Sequence, residues 1–123
     1  MPTPAYDPNN VFARILRGEI PTNKKLFEDE HTLAFWDIAP AAPLHALVIP
    51  KGAYTDYADF SARASEAEIV SFVRATGQVA KSLGADEEGY RLISNCGQNA
   101  HQDVPHFHVH ILGGRKLGPL LMG

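Results

Sequence analysis

Four of the six histidines in this chain fall between positions 101 and 110. Three of them, His106, His108 and His110, alternate with apolar residues in the run His-Phe-His-Val-His-Ile (106–111). A β-strand has a period of two, so the run predicts three imidazoles on one face, ~6–7 Å apart, and Phe107, Val109 and Ile111 on the other. An ordinary strand presents Thr, Lys or Glu to water, so a row of histidines points to chemistry. Two kinds compete. His-x-His on a strand is a common way to offer two imidazoles to zinc or iron. Against it, Cys96 is the single cysteine and no carboxylate closely follows His110, although a three-histidine site stays geometrically open. The other kind is nucleophilic catalysis, in which a neutral imidazole attacks phosphorus and forms a phospho-histidine. That chemistry needs the second ring nitrogen held by an acceptor and donors around the phosphate oxygens. Flanking imidazoles, Asn95 and Gln102 supply uncharged donors.

The elements that must position these side chains are legible in outline. Residues 1–10 hold three prolines and no periodic apolar pattern, and read as a loosely held, flexible arm. Asn9 or Asn10 can cap a short helix whose apolar positions are Val11, Phe12, Ile15 and Leu16, with Gly18 as its stop. Lys24–Glu28 and Thr32–Asp37 read as strands joined by a turn at Asp29-Glu30-His31. Prolines 40 and 43 make a connection, and Leu44–Pro50 has the character of a buried strand. Ser65-Glu-Ala-Glu68 fits a capping box opening a long helix, with Ile69, Phe72, Val73, Val79, Ala80 and Leu83 on one face and Gly84 at its end. Gly77 inside it hints at close packing. Tyr90–Asn95 and Pro105–Leu112 are the last two strands, and residues 116–123 form a glycine-containing apolar tail. This order predicts an α+β domain over residues 11–115, with a mainly antiparallel sheet and one short and one long helix.

The 123 residues suit one domain, and with 45% hydrophobic residues they need no disulfide or metal to build a core. No apolar run reaches the ~20 residues of a membrane span and no secretory signal is evident, so the expectation is a cytoplasmic protein without a membrane partner. A net charge of −3 argues against nucleic acid as a partner.

His106-Phe-His-Val-His-Ile-Leu112 resembles the His-x-His-x-His-x-x signature, x being apolar, of the histidine triad (HIT) proteins. The segments 12–21, 33–40, 43–51 and 113–115 resemble, in order and spacing, the Hint branch of purine nucleoside phosphoramidases. The resemblance implies a HIT-like fold whose two copies pair into one continuous sheet. It also implies hydrolysis of the bond to the α-phosphate of a purine nucleotide, through a nucleotidyl-histidine and without metal or other cofactor. By motif position His108 matches the nucleophile, His110 and Asn95 match phosphate contacts, His106 a supporting member and His45 the fourth histidine beside the triad. Asp37 matches the carboxylate that takes the ribose hydroxyls. Phe12, Ile15, Phe35 and Ile38 match the apolar walls around the purine. Gln102, Asp103 and Val104 match the loop at the phosphate and leaving group. Lys51 and Arg115 are either sources of positive potential or solvated surface charges.

Three departures fall on the leaving-group side. His101 stands where the family usually has glycine, Asp103 where a serine donates, and the tail lacks a tryptophan found in some members. An ionised Asp cannot donate and repels a phosphate oxygen, but it suits a positively charged leaving amine. The expected function is hydrolysis of purine nucleoside 5′-phosphoramidates or related adenylates, with AMP or GMP derivatives as substrates, by a homodimer. Its rivals are a small metal-dependent hydrolase using the same strand, and a non-catalytic AMP-binding sensor.

Overall fold

The computed structural model describes residues 5–121. Residues 1–4 of the expected arm and 122–123 of the tail lie outside that range. The described chain is a mixed α+β domain built on one antiparallel sheet. The elements are α1 (Val11–Leu16), β1 (Lys25–Glu28), β2 (Thr32–Trp36), β3 (Leu44–Pro50), α2 (Tyr57–Arg63), α3 (Glu66–Ser82), β4 (Tyr90–Ile93), a 3-10 turn (Gln98–Ala100) and β5 (Val109–Gly113). The strands lie in the order β1-β2-β3-β5-β4, every neighbouring pair antiparallel.

Local signals formed these elements where the sequence placed them. The Asn10 side chain accepts from the Ala13 N–H and starts α1. Ser65 and Glu68 close the capping box of α3. Gly18 and Gly84 sit at φ +78° and +74°, just beyond the ends of α1 and α3, where a side chain would be strained. The β1–β2 turn is fastened by Asp29, whose carboxylate accepts from the N–H groups of His31 and Thr32 and from the Ser71 hydroxyl on α3.

The sheet has two apolar faces. On one, Ala34, Ala46, Val48 and Ile111 meet Phe60 of α2 and Phe72, Val79 and Ala80 of α3. On the other, Leu33, Phe35, Leu47 and Ile49 meet Phe12 of α1. Strand alternation puts His45 and His110 on the α1 face. Phe107 goes the opposite way, packed against Phe60 and Phe72 at centroid distances of 4.9 Å each.

Three expectations need correction. The domain has three α-helices, because Asp56 caps α2 by accepting from the Asp59 N–H; α2 has one large buried apolar side chain, Phe60, too few for a periodic pattern. The last strand begins at Val109, so His106 and His108 precede the ladder. Their extended segment is held instead by Phe107 N–H donating to the Tyr54 carbonyl (2.8 Å) and Ser94 Oγ donating to the His108 carbonyl (2.9 Å). Val73 of α3 is 65% exposed, and a Cβ added at Gly77 would meet nothing within 4 Å. Both residues line an open groove of about 590 Å³ between α3 and the edge strand β4.

The loop before the histidine run carries one strained residue. His101 sits at φ +58°, the only non-glycine with positive φ among the described residues. A side chain there costs about 1–2 kcal/mol, partly offset by the extra freedom that glycine gives the unfolded chain. His101→Gly is therefore expected to raise stability by about 0.5–1 kcal/mol, read as a higher denaturant midpoint at unchanged slope.

Candidate functional site

His45 near the start of β3, His110 near the start of β5 and the segment 106–108 before it form one cluster along this strand pair, and the hydrogen bonds to fixed partners assign a tautomer to each ring. His108 Nδ1 lies 2.7 Å from the carbonyl of His106. A carbonyl only accepts, so Nδ1 carries the proton and Nε2 is left with a bare lone pair. The Ala41 N–H donates to His45 Nδ1 at 2.9 Å, which puts the His45 proton on Nε2. That nitrogen is 2.9 Å from His110 Nδ1 and donates to it, so the His110 proton sits on Nε2. His106 Nε2 donates to the Pro50 carbonyl at 2.8 Å, and its Nδ1 accepts from the Tyr6 hydroxyl at 2.6 Å.

Burial favours the neutral form of the His45, His106 and His110 rings. Desolvation pushes the pKa of both His106 and His110 down to about 4. Desolvation also lowers His45, against the opposing pull of Asp37. The rings pack edge to face: His108 and His110 have centroids 5.1 Å apart, and Phe12 stands 5.0 Å from His108. The arrangement sets a bare nitrogen, His108 Nε2, next to a ring that can donate, His110. A phosphoryl group held there meets a nucleophile and a donor together.

The other expected residues divide. Asp37 joins the cluster: its Oδ2 is 3.4 Å from His45 Nε2, and its Oδ1 accepts from the Ala39 N–H. Phe12 and Phe35 pack edge to face at 5.9 Å, with Ile15 and Val104 against the same cluster. Ile38 stands apart from them, 85% exposed just beyond β2. Asn95 donates to the Ala100 carbonyl. The Gln102 amide holds its own loop, donating to the carbonyls of Thr55 and Val104 and accepting from Gly97. Asp103 is exposed, with Oδ1 3.8 Å from His108 Nε2. Lys51 is paired with Glu28 at 2.7 Å, and Arg115 donates to the Lys116 carbonyl, so no lysine or arginine is among the groups bonded to the histidine cluster among the described residues. Sequence reading missed Tyr6, the Ala41 N–H and the Pro50 carbonyl. Two are backbone groups with no signature, and Tyr6 lies 100 residues from the ring it touches.

Asp37, His45 and His110 are the one set of possible metal ligands grouped among the described residues. The donor chemistry does not fit an ion well. The Ala41 N–H occupies His45 Nδ1 and leaves the proton on Nε2, the nitrogen that faces the group. A proton-bearing nitrogen has no lone pair to give.

A two-faced antiparallel sheet carrying a hydrogen-bonded histidine cluster defines the class: a small α+β domain with histidine-centred chemistry. The comparisons name the family. The HIT domain family model matches residues 17–117, and the chain belongs to the HIT family. It is 66% identical over 116 residues to a HIT-like protein of Azospirillum brasilense, covering 94% of each chain. It is 40% identical over 111 residues to the purine nucleoside phosphoramidase of Escherichia coli, covering 90% of this chain and 92% of that one. Among solved structures it matches a HIT family hydrolase from Clostridium thermocellum with a TM-score of 0.83 and 42% identity, covering 93% of this chain and 97% of that one.

The depressed histidine pKa values have a stability consequence. His106 and His110 stay neutral in the fold down to about pH 4, whereas in the unfolded chain they take up protons below about 6.5. Their contribution is full above about pH 6.5 and is lost as pH falls from there toward 4, because the unfolded state binds more protons in that window. Unfolding midpoints are expected to drop across that range, and His106→Gln should flatten part of the slope.

Proposed function

We propose that this protein hydrolyses purine nucleoside 5′-phosphoramidates or closely related adenylates through a nucleotidyl-histidine on His108. The observation that carries the reading is the bare Nε2 of His108, created by the Nδ1–H bond to the His106 carbonyl and set beside the His110 ring. In the first step Nε2 forms a bond to the α-phosphorus as the phosphorus–nitrogen bond breaks. The amine leaves with one proton from solvent. The phosphorylated imidazole becomes cationic, and its Nδ1–H bond to the His106 carbonyl strengthens as that charge develops. His110 Nε2–H donates to a non-bridging oxygen. In the second step water attacks phosphorus, the nitrogen–phosphorus bond breaks, the nucleotide departs, and the released proton replaces the one the amine took.

Asp37 suits a ribose, since a carboxylate accepts from two hydroxyls at once. Phe12, Ile15, Phe35 and the exposed Ile38 are the walls assigned to the purine. Asn95 and the loop of Gln102, Asp103 and Val104 border the phosphate and leaving group. Asp103 disfavours additional negative charge there, so amine leaving groups rank above phosphate ones. No helix among the described residues is long and apolar enough to cross a membrane, and the location proposed with this function is the cytoplasm.

The test is a panel of adenosine and guanosine phosphoramidates, acyl-adenylates and dinucleoside polyphosphates. Turnover of the phosphoramidates is expected, undiminished by chelator, with His108→Ala lowering kcat about a thousandfold or more. Normal rates in that variant would refute the nucleophile assignment. Chelator-sensitive turnover would favour a metal enzyme, and tight AMP binding without turnover a sensor.

We also propose that the working unit is a homodimer joined through α3 and β4. Tyr57 at 58%, Val73 at 65% and Leu92 at 50% exposure share one apolar groove. Beside it β4 is a terminal strand with an unpaired edge, and such an edge is a template for another strand. Gly77 leaves room for a second helix. A sedimenting mass of two chains is expected at micromolar concentration, with Val73→Glu giving the mass of one.

A further inference from the structure

We propose that Tyr6 is a positioning residue for His108, acting through His106. This rests on the reading of His108 as the nucleophile. The acceptor that fixes the His108 tautomer is the backbone carbonyl of His106. That carbonyl can aim at Nδ1 only while residue 106 keeps its orientation, and residue 106 lies outside the ladder of β5. Its side chain adds an anchor to the backbone bonds that hold the segment. The ring is fully buried and tied at both nitrogens, Nε2 to the Pro50 carbonyl and Nδ1 to the Tyr6 hydroxyl.

The Pro50 carbonyl can only accept, so it takes the one proton a neutral His106 carries. Nδ1 must then accept, and the Tyr6 hydroxyl, 2.6 Å away, is the donor that satisfies it. The Tyr6 ring also meets the His106 ring edge to face at 5.6 Å. Tyr6 is delivered to this spot by the turn that opens α1. The Asn10 N–H and its side-chain amide both donate to the Asp7 carbonyl, and the Asn9 N–H donates to the Asp7 carboxylate. The same turn caps the helix that carries Phe12, which stands against His108 from the other side. Residues 6–12 therefore reach both ends of the His106–His108 pair. The Tyr6 hydroxyl bonds to the His106 ring and not to the attacking nitrogen of His108.

Tyr6→Phe keeps the ring and removes the donor. Three readouts test it together: steady-state hydrolysis of adenosine 5′-phosphoramidate, AMP binding by calorimetry, and the imidazole nitrogen resonances of 15N-histidine-labelled protein. The expected result is a kcat lowered about 3- to 10-fold, with KM and the AMP affinity within about twofold of the parent. The His106 Nδ1 resonance should move toward that of an unbonded acceptor, and the His108 Nδ1–H signal should weaken. Unchanged kcat and unchanged ring resonances would overturn the proposal. So would a lower Tm with an unaltered kcat per folded molecule and unaltered resonances, which is what a purely structural tyrosine predicts. If the parent protein hydrolyses no phosphoramidate, the proposed function fails by itself. The resonances still decide whether Tyr6 sets the state of the two rings.

Discussion

The hydrogen bond from His108 Nδ1 to the carbonyl of His106 is the contact on which the site depends. An imidazole in water exchanges its proton freely between two nitrogens, and neither is committed to act as base or nucleophile. Here a backbone carbonyl at 2.7 Å commits one nitrogen and leaves the other bare. The remaining contacts keep that assignment in place. Pro50 and Tyr6 hold the ring of the residue that owns the carbonyl, and Ala41 fixes His45, which fixes His110. The ring protons of His108, His106 and His45 each have an acceptor within the fold. Burial enforces this further at His45, His106 and His110, where a second proton would place a charge in a poorly solvated space.

The sheet makes such burial affordable on one face by supplying hydrocarbon on the other. Phe107 illustrates the trade. It sits between two histidines in sequence, yet it packs between Phe60 and Phe72 on the opposite side of the sheet. The apolar contacts of Phe107 fasten a segment that has no strand partner, and the histidines on either side inherit its rigidity. The short helix α2, with little amphipathic pattern, matters because it brings Phe60 to that contact.

Charge organises the site differently from many nucleotide sites. Its cations are elsewhere: Lys51 is spent on Glu28 and Arg115 on a neighbouring carbonyl. What remains near the rings are neutral donors and the carboxylates Asp37 and Asp103. Such a lining recognises a phosphate by hydrogen bonding, and it discriminates against long anionic polymers, in keeping with the net charge of −3.

The chain sequence by itself determined much of this. The period-two run 106–111 assigned the histidines and Phe107 to opposite faces, and the caps at Asn10 and Ser65 set where α1 and α3 begin. These features depend on neighbours a few residues apart, so local spacing specifies them. The strand boundary at Val109, the exposure of Val73 and the helix α2 were not legible, since each depends on which surfaces the folded chain covers. The tautomers of His106, His45 and His110 were decided by tertiary structure alone. They rest on the carbonyl of Pro50, the amide of Ala41 and the hydroxyl of Tyr6, groups that side-chain pattern does not encode. Only folding brings a donor from the arm to a ring 100 residues away. A hydrogen bond, unlike hydrophobic periodicity, exists only once both partners have arrived.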